Sequence, residues 1–361
     1  DHILKFGFSS ELVIEVLNQI SNIIADMGYM QEAVKYRMRA LDIVYLLFGD
    51  ESSQFANALN NLGVLCEDVC DLEKAEECLF QAYEIRKKLY GSEYPDTAAS
   101  LNNLGSFYFA VGDLEKAEEY FLKSCEIRRR LYGDEHPDIA NSLNNLGLLY
   151  EDAGDIKKAE ECLSQSYDIY KKLYGDNHSN VANSLNSLGS FYYTAGDVQK
   201  AEKYISKSYA IYQKLYGNEH PATANVLRNL GVLYSKAGDL KKAQECLFPA
   251  YEILQRLYGD EHPDVVSSLN SLGILYYDIG EFEKTEKCFL KSYATSREMY
   301  GDAHFQTVDS LKNLGLLYRK KGDFQLAKEC YHKILSIYQK LYDKNHPEIK
   351  ALEKILSELN S

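Results

Sequence analysis

The sequence lacks the features expected of a membrane protein, a nucleic-acid-binding protein or a common enzyme class. No apolar run approaches the roughly 20 residues that a membrane-spanning helix needs, and we predict no membrane segment. The 40 lysines and arginines are outnumbered by 54 acidic residues, and the net charge of −14 argues against a nucleic-acid surface. Because there is no glycine-rich phosphate loop, paired-histidine zinc motif or nucleophile elbow, we expect no enzyme, no catalytic residues and no cofactor.

The sequence begins at Asp1 rather than at a methionine, and we expect no signal peptide. It opens at Asp1 in what resembles the end of an earlier helix, with Phe6-Gly7 where later units have Leu-Tyr-Gly. We therefore expect residues 1–7 to be the remnant of a preceding helix, and the chain to be a piece of a longer protein.

What the sequence has in abundance is repetition. A Tyr-Gly pair recurs every 42 residues without insertion, and a fixed period of this size is typical of a solenoid of stacked helical units. We predict eight repeats over residues 8–343 and a C-terminal capping helix over residues 344–361, whose apolar residues share one helical face. The glycines that carry the period are Gly91, Gly133, Gly175, Gly217, Gly259 and Gly301.

Each unit is predicted to form two antiparallel helices, A and B, as residues 137–175 illustrate. Gly147 lies in the middle of helix A, where glycine costs roughly 1 kcal/mol relative to alanine. We expect a close approach to helix B to offset that cost, with Ala159 as the small partner. Gly154 is expected to end helix A, and Asp155 to cap helix B.

These residues resemble the tetratricopeptide repeat, whose Leu-Gly-x-x-Tyr core matches Leu146-Gly147 and Tyr150. The long period, the His-Pro openings and the Leu-Asn-Asn-Leu core are similar to kinesin light chains and nephrocystin-3-like proteins. The resemblance covers nearly the whole chain. It implies an all-α fold, a right-handed superhelical α-solenoid of antiparallel helix pairs, with a concave groove lined by the A helices.

The cysteines and histidines do not form a recognisable metal site. Five of the eight cysteines share one position of the repeat, and we interpret them as buried packing residues; free thiols are typical of a reducing compartment, which predicts a cytoplasmic protein. Cys66 and Cys70 depart from this position, but a metal would need two further ligands. The histidines at the starts of A helices are interpreted as caps, and no metal is expected.

The candidate binding surface is the face of the A helices around Leu-Asn-Asn-Leu. Asparagine carboxamides offer donors and an acceptor, which suits the backbone of an extended peptide. The alternative is that one asparagine of each pair bridges neighbouring repeats, and both interpretations stay open. The predicted groove residues are Asn60, Asn102, Asn103, Asn144, Asn145, Asn186, Tyr193, Arg228, Asn229, Asn270, Tyr277, Lys312, Asn313 and Arg319.

Basic residues gather on this face in the C-terminal half of the chain. Partly buried lysine and arginine favour carboxylates, and Tyr193 or Tyr277 could anchor a ligand. Kinesin light chains take acidic peptides with an aromatic anchor, and the resemblance implies a ligand of that type. The alternative is that these bases are neutralised within the chain. They are Arg228, Lys236, Lys312, Arg319 and Lys320.

We therefore expect a non-catalytic adaptor that binds an extended motif of a protein or peptide ligand. One alternative is a sensor or autoinhibitory arm of a multidomain signalling protein, an NTPase switch or a protease, whose other domains would fill the groove. Another is a scaffold that assembles end to end.

Overall fold

The computed structural model describes residues 10–341 and 346–360, and every regular element within them is a helix. This confirms the prediction of an all-α chain built from helix pairs; residues 1–7, predicted to be a helix remnant, lie outside the described residues. None of the described helices is long and apolar enough to span a membrane. The helices are α1 (Ser10–Asp26), α2 (Met30–Phe48), α3 (Ser53–Asp68), α4 (Leu72–Tyr90), α5 (Pro95–Ala110), α6 (Leu114–Tyr132), α7 (Pro137–Asp152), α8 (Ile156–Tyr174), α9 (Ser179–Thr194), α10 (Val198–Tyr216), α11 (Pro221–Lys236), α12 (Leu240–Tyr258), α13 (Pro263–Ile279), α14 (Phe282–Tyr300), α15 (Phe305–Lys321), α16 (Phe324–Leu341) and α17 (Pro347–Asn360).

Histidine caps fix the start of most A helices, which are the odd-numbered ones. Before α7, Nδ1 of His136 accepts a hydrogen bond from the Asp138 N–H at 3.2 Å. Pro137 then occupies the first turn, where an amide has no intrahelical partner. The prediction that these histidines are caps is confirmed by the same bond at His178, His220, His262, His304 and His346.

The turn between the A and B helices follows the predicted glycine–aspartate pattern. Gly154 has a φ of +77°, and the Asp155 side chain accepts a hydrogen bond from the Lys158 N–H at 3.1 Å. In the second repeat Cys70 holds the glycine's place with a φ of 58°, and it is the one non-glycine residue with positive φ in the described chain. Because a side chain in this region is strained, this turn is less favourable than its neighbours.

The mid-helix glycines mark the closest approach of A to B, as predicted, and the side chain nearest to Gly147 is that of Leu163. A Cβ added to Gly147 would lie 2.6 Å from Cγ and 2.7 Å from Cδ2 of Leu163. Ala159 is fully buried one turn earlier, yet the side chain that packs over the glycine is the leucine. The equivalent side chains are Leu79, Phe121, Ile205, Leu247, Phe289 and Tyr331.

The chain forms two compact units. The first comprises residues up to Ala25 and Met30–Asn218, and the second comprises Asp26–Tyr29 and the chain from Glu219 onward. In the first unit the core continues from one repeat to the next, because apolar residues of α7 and α8 pack against those of α9. A representative cluster is Ala140, Tyr170, Val181 and Leu185.

In the second unit, α17 packs on α16 and extends the core. Ile349, Leu352 and Leu356 are buried in one cluster with residues of α15 and α16, so the apolar face of α17 is covered on one side. This helix lies inside the segment predicted to cap the array. The division into repeats over 8–343 and a cap over 344–361 stays a prediction, as does the handedness of the solenoid.

Candidate functional site

Asparagine side chains connect neighbouring A helices in the first unit. Nδ2 of Asn103 donates to Oδ1 of Asn60 at 2.8 Å, and Nδ2 of Asn145 donates to Oδ1 of Asn102 at 3.3 Å. All four are half-buried. These bonds agree with the alternative interpretation, in which the asparagines bridge repeats. Each carboxamide still has a donor or a lone pair that the bridge does not use.

The bridges stop where the pattern changes to serine. Continuing the series, Asn144 would accept from residue 187, which is Ser187, and Asn144 has no side-chain hydrogen bond within the described part of the chain. It is half-buried on α7, so its amide is available to a ligand. The other predicted residues of this unit, Asn186 and Tyr193, are half-buried on α9.

Burial raises the pKa of two acidic residues on this face. Burial raises the pKa of Glu67 from 4.5 to about 7, and it also raises the pKa of Asp68. Both lie at the end of α3, beside the strained turn at Cys70.

In the second unit, Arg228 is the most desolvated of the predicted bases. Burial lowers the pKa of its guanidinium, which the charge of Asp264 partly opposes. Its Nε is buried and has no hydrogen-bond partner within residues 10–341 and 346–360. Asn229 lies beside it on α11 and is half-buried, whereas Asn270 on α13 donates to Ser310 Oγ at 3.2 Å.

Two of the predicted bases are paired with acids of α17. Lys312 Nζ lies 3.1 Å from Glu348 Oε2, and Arg319 Nη2 lies 3.6 Å from Glu358 Oε2. For these two positions, neutralisation within the chain is what the structure shows. Tyr277 on α13 packs against Phe282, with ring centroids 5.9 Å apart. Asn313 on α15 is half-buried and makes no side-chain hydrogen bond within the described residues.

The cysteines lie in environments that keep them as thiols. All eight are free and buried or half-buried. Burial raises the pKa of Cys66 to about 12 and that of Cys70 to about 11, which disfavours the thiolate that metals bind. Among the described residues no group of three or more histidine, cysteine or acidic side chains could hold a metal ion.

A second network between repeats was missed by reasoning from the sequence. A tyrosine near the end of an A helix donates a hydrogen bond to a glutamate of the preceding B helix, as Tyr150 does to Glu118 at 2.7 Å. Lys158 lies over the tyrosine ring at 4.6 Å, and its Nζ is 3.7 Å from the same glutamate. We call this arrangement the tyrosine lock. The same hydrogen bond joins Tyr108 to Glu76, Tyr192 to Glu160 and Tyr318 to Glu286.

The residues of the tyrosine lock recur at fixed spacings in the 42-residue repeat of the sequence. A glutamate lies 32 residues before each of these four tyrosines, and a lysine lies eight residues after Tyr108, Tyr150 and Tyr192. At Glu118 the lock places one carboxylate next to both a hydroxyl and an ammonium group. The four hydrogen bonds connect the third, fourth, fifth and eighth repeats to the repeats before them.

Comparison with known proteins gives a family and a fold. The tetratricopeptide repeat family model matches residues 12–88, 54–127, 96–172, 152–201, 180–247 and 275–340. No curated protein matches the chain.

Several solved structures share the fold. BtubC (BKLC) from P. vanneervenii is 23% identical, with a TM-score of 0.52 over 64% of this chain and 94% of that one. A Rap protein complexed with Competence and Sporulation Factor is 14% identical, with a TM-score of 0.59 over 91% and 98%. A signal transduction ATPase with numerous domains and a tetratricopeptide repeat sensor, from Pyrococcus horikoshii, is 17% identical, with a TM-score of 0.53 over 96% and 49%. At these identities the likeness extends to the fold alone.

Proposed function

Because the chain belongs to the tetratricopeptide repeat family, whose members are protein-interaction scaffolds, we propose that its A helices bind a linear peptide motif with an acidic portion and an aromatic anchor. The role is non-catalytic and cytoplasmic. The observation that carries the acidic part is Arg228, whose Nε is buried and has no hydrogen-bond partner among the residues that the structure describes. A carboxylate would satisfy it through a charge-assisted hydrogen bond.

The pairing of Lys312 and Arg319 with α17 is compatible with this proposal. Both pairs are partly exposed, with side-chain exposures of 34% and 48% for Lys312 and Glu348. Exposed ion pairs contribute about 0–1 kcal/mol, so a peptide carboxylate can compete for the same base. The glutamates of α17 also show that Lys312 and Arg319 can bind a carboxylate.

Asparagine amides supply the second element of the proposed site. In the second unit, Asn313 makes no side-chain hydrogen bond within the described residues, and a carboxamide can both donate to and accept from a peptide backbone. Half-burial holds the side chains in place, which lowers the ordering cost of binding. Tyr277, half-buried beside Phe282, is the proposed contact for the aromatic anchor.

The test is a titration of a fluorescein-labelled acidic peptide carrying one tyrosine, followed by fluorescence polarisation. Replacing Arg228, Lys312 and Arg319 together with alanine should weaken binding at least about tenfold, as expected when charged partners are removed. The matched control replaces three exposed B-helix lysines by alanine, namely Lys157, Lys207 and Lys241. Its net charge equals that of the first triple variant, and its affinity for the peptide should match that of the parent protein. Equal affinity of both triple variants, with unchanged helical circular dichroism, would rule out this face as the site.

A second candidate function is a sensor arm within a larger signalling protein. The observation that favours it is the likeness to the Pyrococcus horikoshii protein, which spans 96% of this chain but 49% of that one. In this case another domain of the same protein would occupy the A-helix face. Sequencing the full coding region separates the two candidates, because an adjoining NTPase or protease domain favours the sensor arm.

A further inference from the structure

The tyrosine lock is incomplete in the seventh repeat. Tyr276 and Lys284 are in place, with the ammonium group 5.2 Å from the ring centroid. The glutamate position on the preceding B helix is Gln244 instead. The Tyr276 hydroxyl makes no hydrogen bond within the described chain, and Lys284 pairs with Glu281 at 2.5 Å. This repeat therefore keeps the two groups that share a carboxylate elsewhere and lacks the carboxylate.

The space around these groups is open. A cleft of about 540 Å³ lies between the B helices α12 and α14, with Leu269 and Leu272 of α13 on its floor. Cys288 lines it at the position where Tyr204 of the fifth repeat stacks on its lock tyrosine, with centroids 5.4 Å apart. A small residue in place of that aromatic ring leaves room for an apolar side chain from outside.

The cleft is basic although the chain is acidic. Three lysines line it, Lys284, Lys287 and Lys291, against one acid, Glu252. Lys291 pairs with Asp260 at 2.8 Å, whereas Lys287 is exposed and has no ion pair within the described residues. At the position of Lys287 the second, third, fourth, sixth and eighth repeats carry glutamate. Lys287 and Gln244 both stand at repeat positions where other repeats carry glutamate, so each position lacks a negative charge that those repeats have.

We propose that this cleft between α12 and α14 is a docking site for a protein partner that inserts a glutamate or aspartate next to an apolar side chain. The partner's carboxylate takes the place that the chain's own glutamate fills in the other tyrosine locks. Tyr276 donates a hydrogen bond to it, Lys284 and Lys287 supply the positive charge, and the neighbouring apolar group rests on Leu269 and Leu272. The site is separate from the proposed A-helix face, so either can exist without the other.

The probe is a fluorescein-labelled peptide in which glutamate alternates with leucine and phenylalanine, titrated against the full chain. Gln244→Glu restores the internal carboxylate and should reduce the affinity at least about tenfold, since the ligand then meets an occupied position and a like charge. Lys287→Glu should do the same. The matched control is Lys203→Glu, at the register position of Lys287 in the fifth repeat, where the tyrosine ring fills the space; it should leave the affinity unchanged.

Location is tested by coupling the bound peptide to the protein with a carbodiimide, which joins a carboxylate to a nearby amine, and mapping the product by mass spectrometry. Adducts on Lys287 or Lys284 are the expected result, and they should disappear in Gln244→Glu. The proposal is overturned if a control peptide with glutamine in place of each glutamate binds as tightly, if neither Gln244→Glu nor Lys287→Glu weakens binding, or if the adducts lie on A helices only. Gln244→Glu should also raise the unfolding temperature, which excludes misfolding as the cause of lost binding.

Discussion

Replacing Gly147 with alanine tests the close contact between the A and B helices. At an uncrowded helix position this change would stabilise the protein by about 1 kcal/mol, because glycine is a poor helix former. Here the new Cβ would lie 2.6 Å from Cγ of Leu163, whose side chain is only 1% exposed. Overpacking of this kind costs about 1–3 kcal/mol. We expect the crowding to outweigh helix propensity, with a net loss of about 1 kcal/mol.

The assay is native-state hydrogen exchange of amides in α7 and α8, because long repeat arrays do not unfold in a single step. Leu163→Ala alone should cost about 2–5 kcal/mol through its cavity. The double variant should cost less than the sum of the two single changes, since the smaller side chain leaves room for the alanine. Gly154→Ala is the control: nothing lies within 4 Å of its added Cβ, so its cost comes from the positive φ and should not couple to residue 163.

Two results would refute this reasoning. If Gly147→Ala is more stable than the parent, helix propensity governs this position and the close approach has no energetic weight. If the costs of Gly147→Ala and Leu163→Ala add within about 0.5 kcal/mol, as distant sites do, the two side chains do not compete for the same space. Gly147→Leu should lower the stability of α7 and α8 more than Gly147→Ala does in the same hydrogen-exchange assay.

Three further changes test other parts of the structure. Tyr150→Phe removes the hydrogen bond to Glu118 (2.7 Å) and should cost about 1 kcal/mol, seen as faster hydrogen exchange in α6 and α7. Cys70→Gly relieves the φ of 58° and should raise the thermal unfolding midpoint, with a gain of about 1 kcal/mol; an unchanged midpoint would mean that the turn is not strained. Burial raises the pKa of Glu67 from 4.5 to about 7, so its folded state binds the proton more tightly and stability falls as the pH rises through that range. Glu67→Gln should therefore be more stable than the parent by about 3 kcal/mol near pH 8 and equal to it near pH 4; a constant difference across pH would contradict the assignment.

Features that depend on local sequence could be predicted well. The 42-residue period, the histidine caps and the turn at Gly154 and Asp155 each rest on a few adjacent residues with a known backbone preference. The predicted role of Gly147 in helix contact was correct for the same reason, since only an offsetting contact explains glycine in a helix interior.

Features that depend on which side chain meets which across repeats could not be predicted. Leu163, not Ala159, covers Gly147, because the side chain direction on helix B decides the contact. The pairing of Lys312 with Glu348 depends on where α17 packs, and the residue pattern of the A helices does not reveal that position. The glutamine at position 244 has no obvious meaning in the sequence. It becomes meaningful once the structure shows that glutamate at this repeat position bonds to a tyrosine in other repeats.

The most direct test of the central claim, that the A-helix face binds an acidic linear motif, is selection from a random-peptide display library at low and at high salt. We predict enrichment of acidic peptides with an aromatic residue, and loss of that enrichment at high salt, because exposed charge interactions are screened. Enrichment should also be lost for the variant with Arg228, Lys312 and Arg319 replaced by alanine. Selection of peptides without acidic residues, or enrichment that neither salt nor the triple variant changes, would contradict the account.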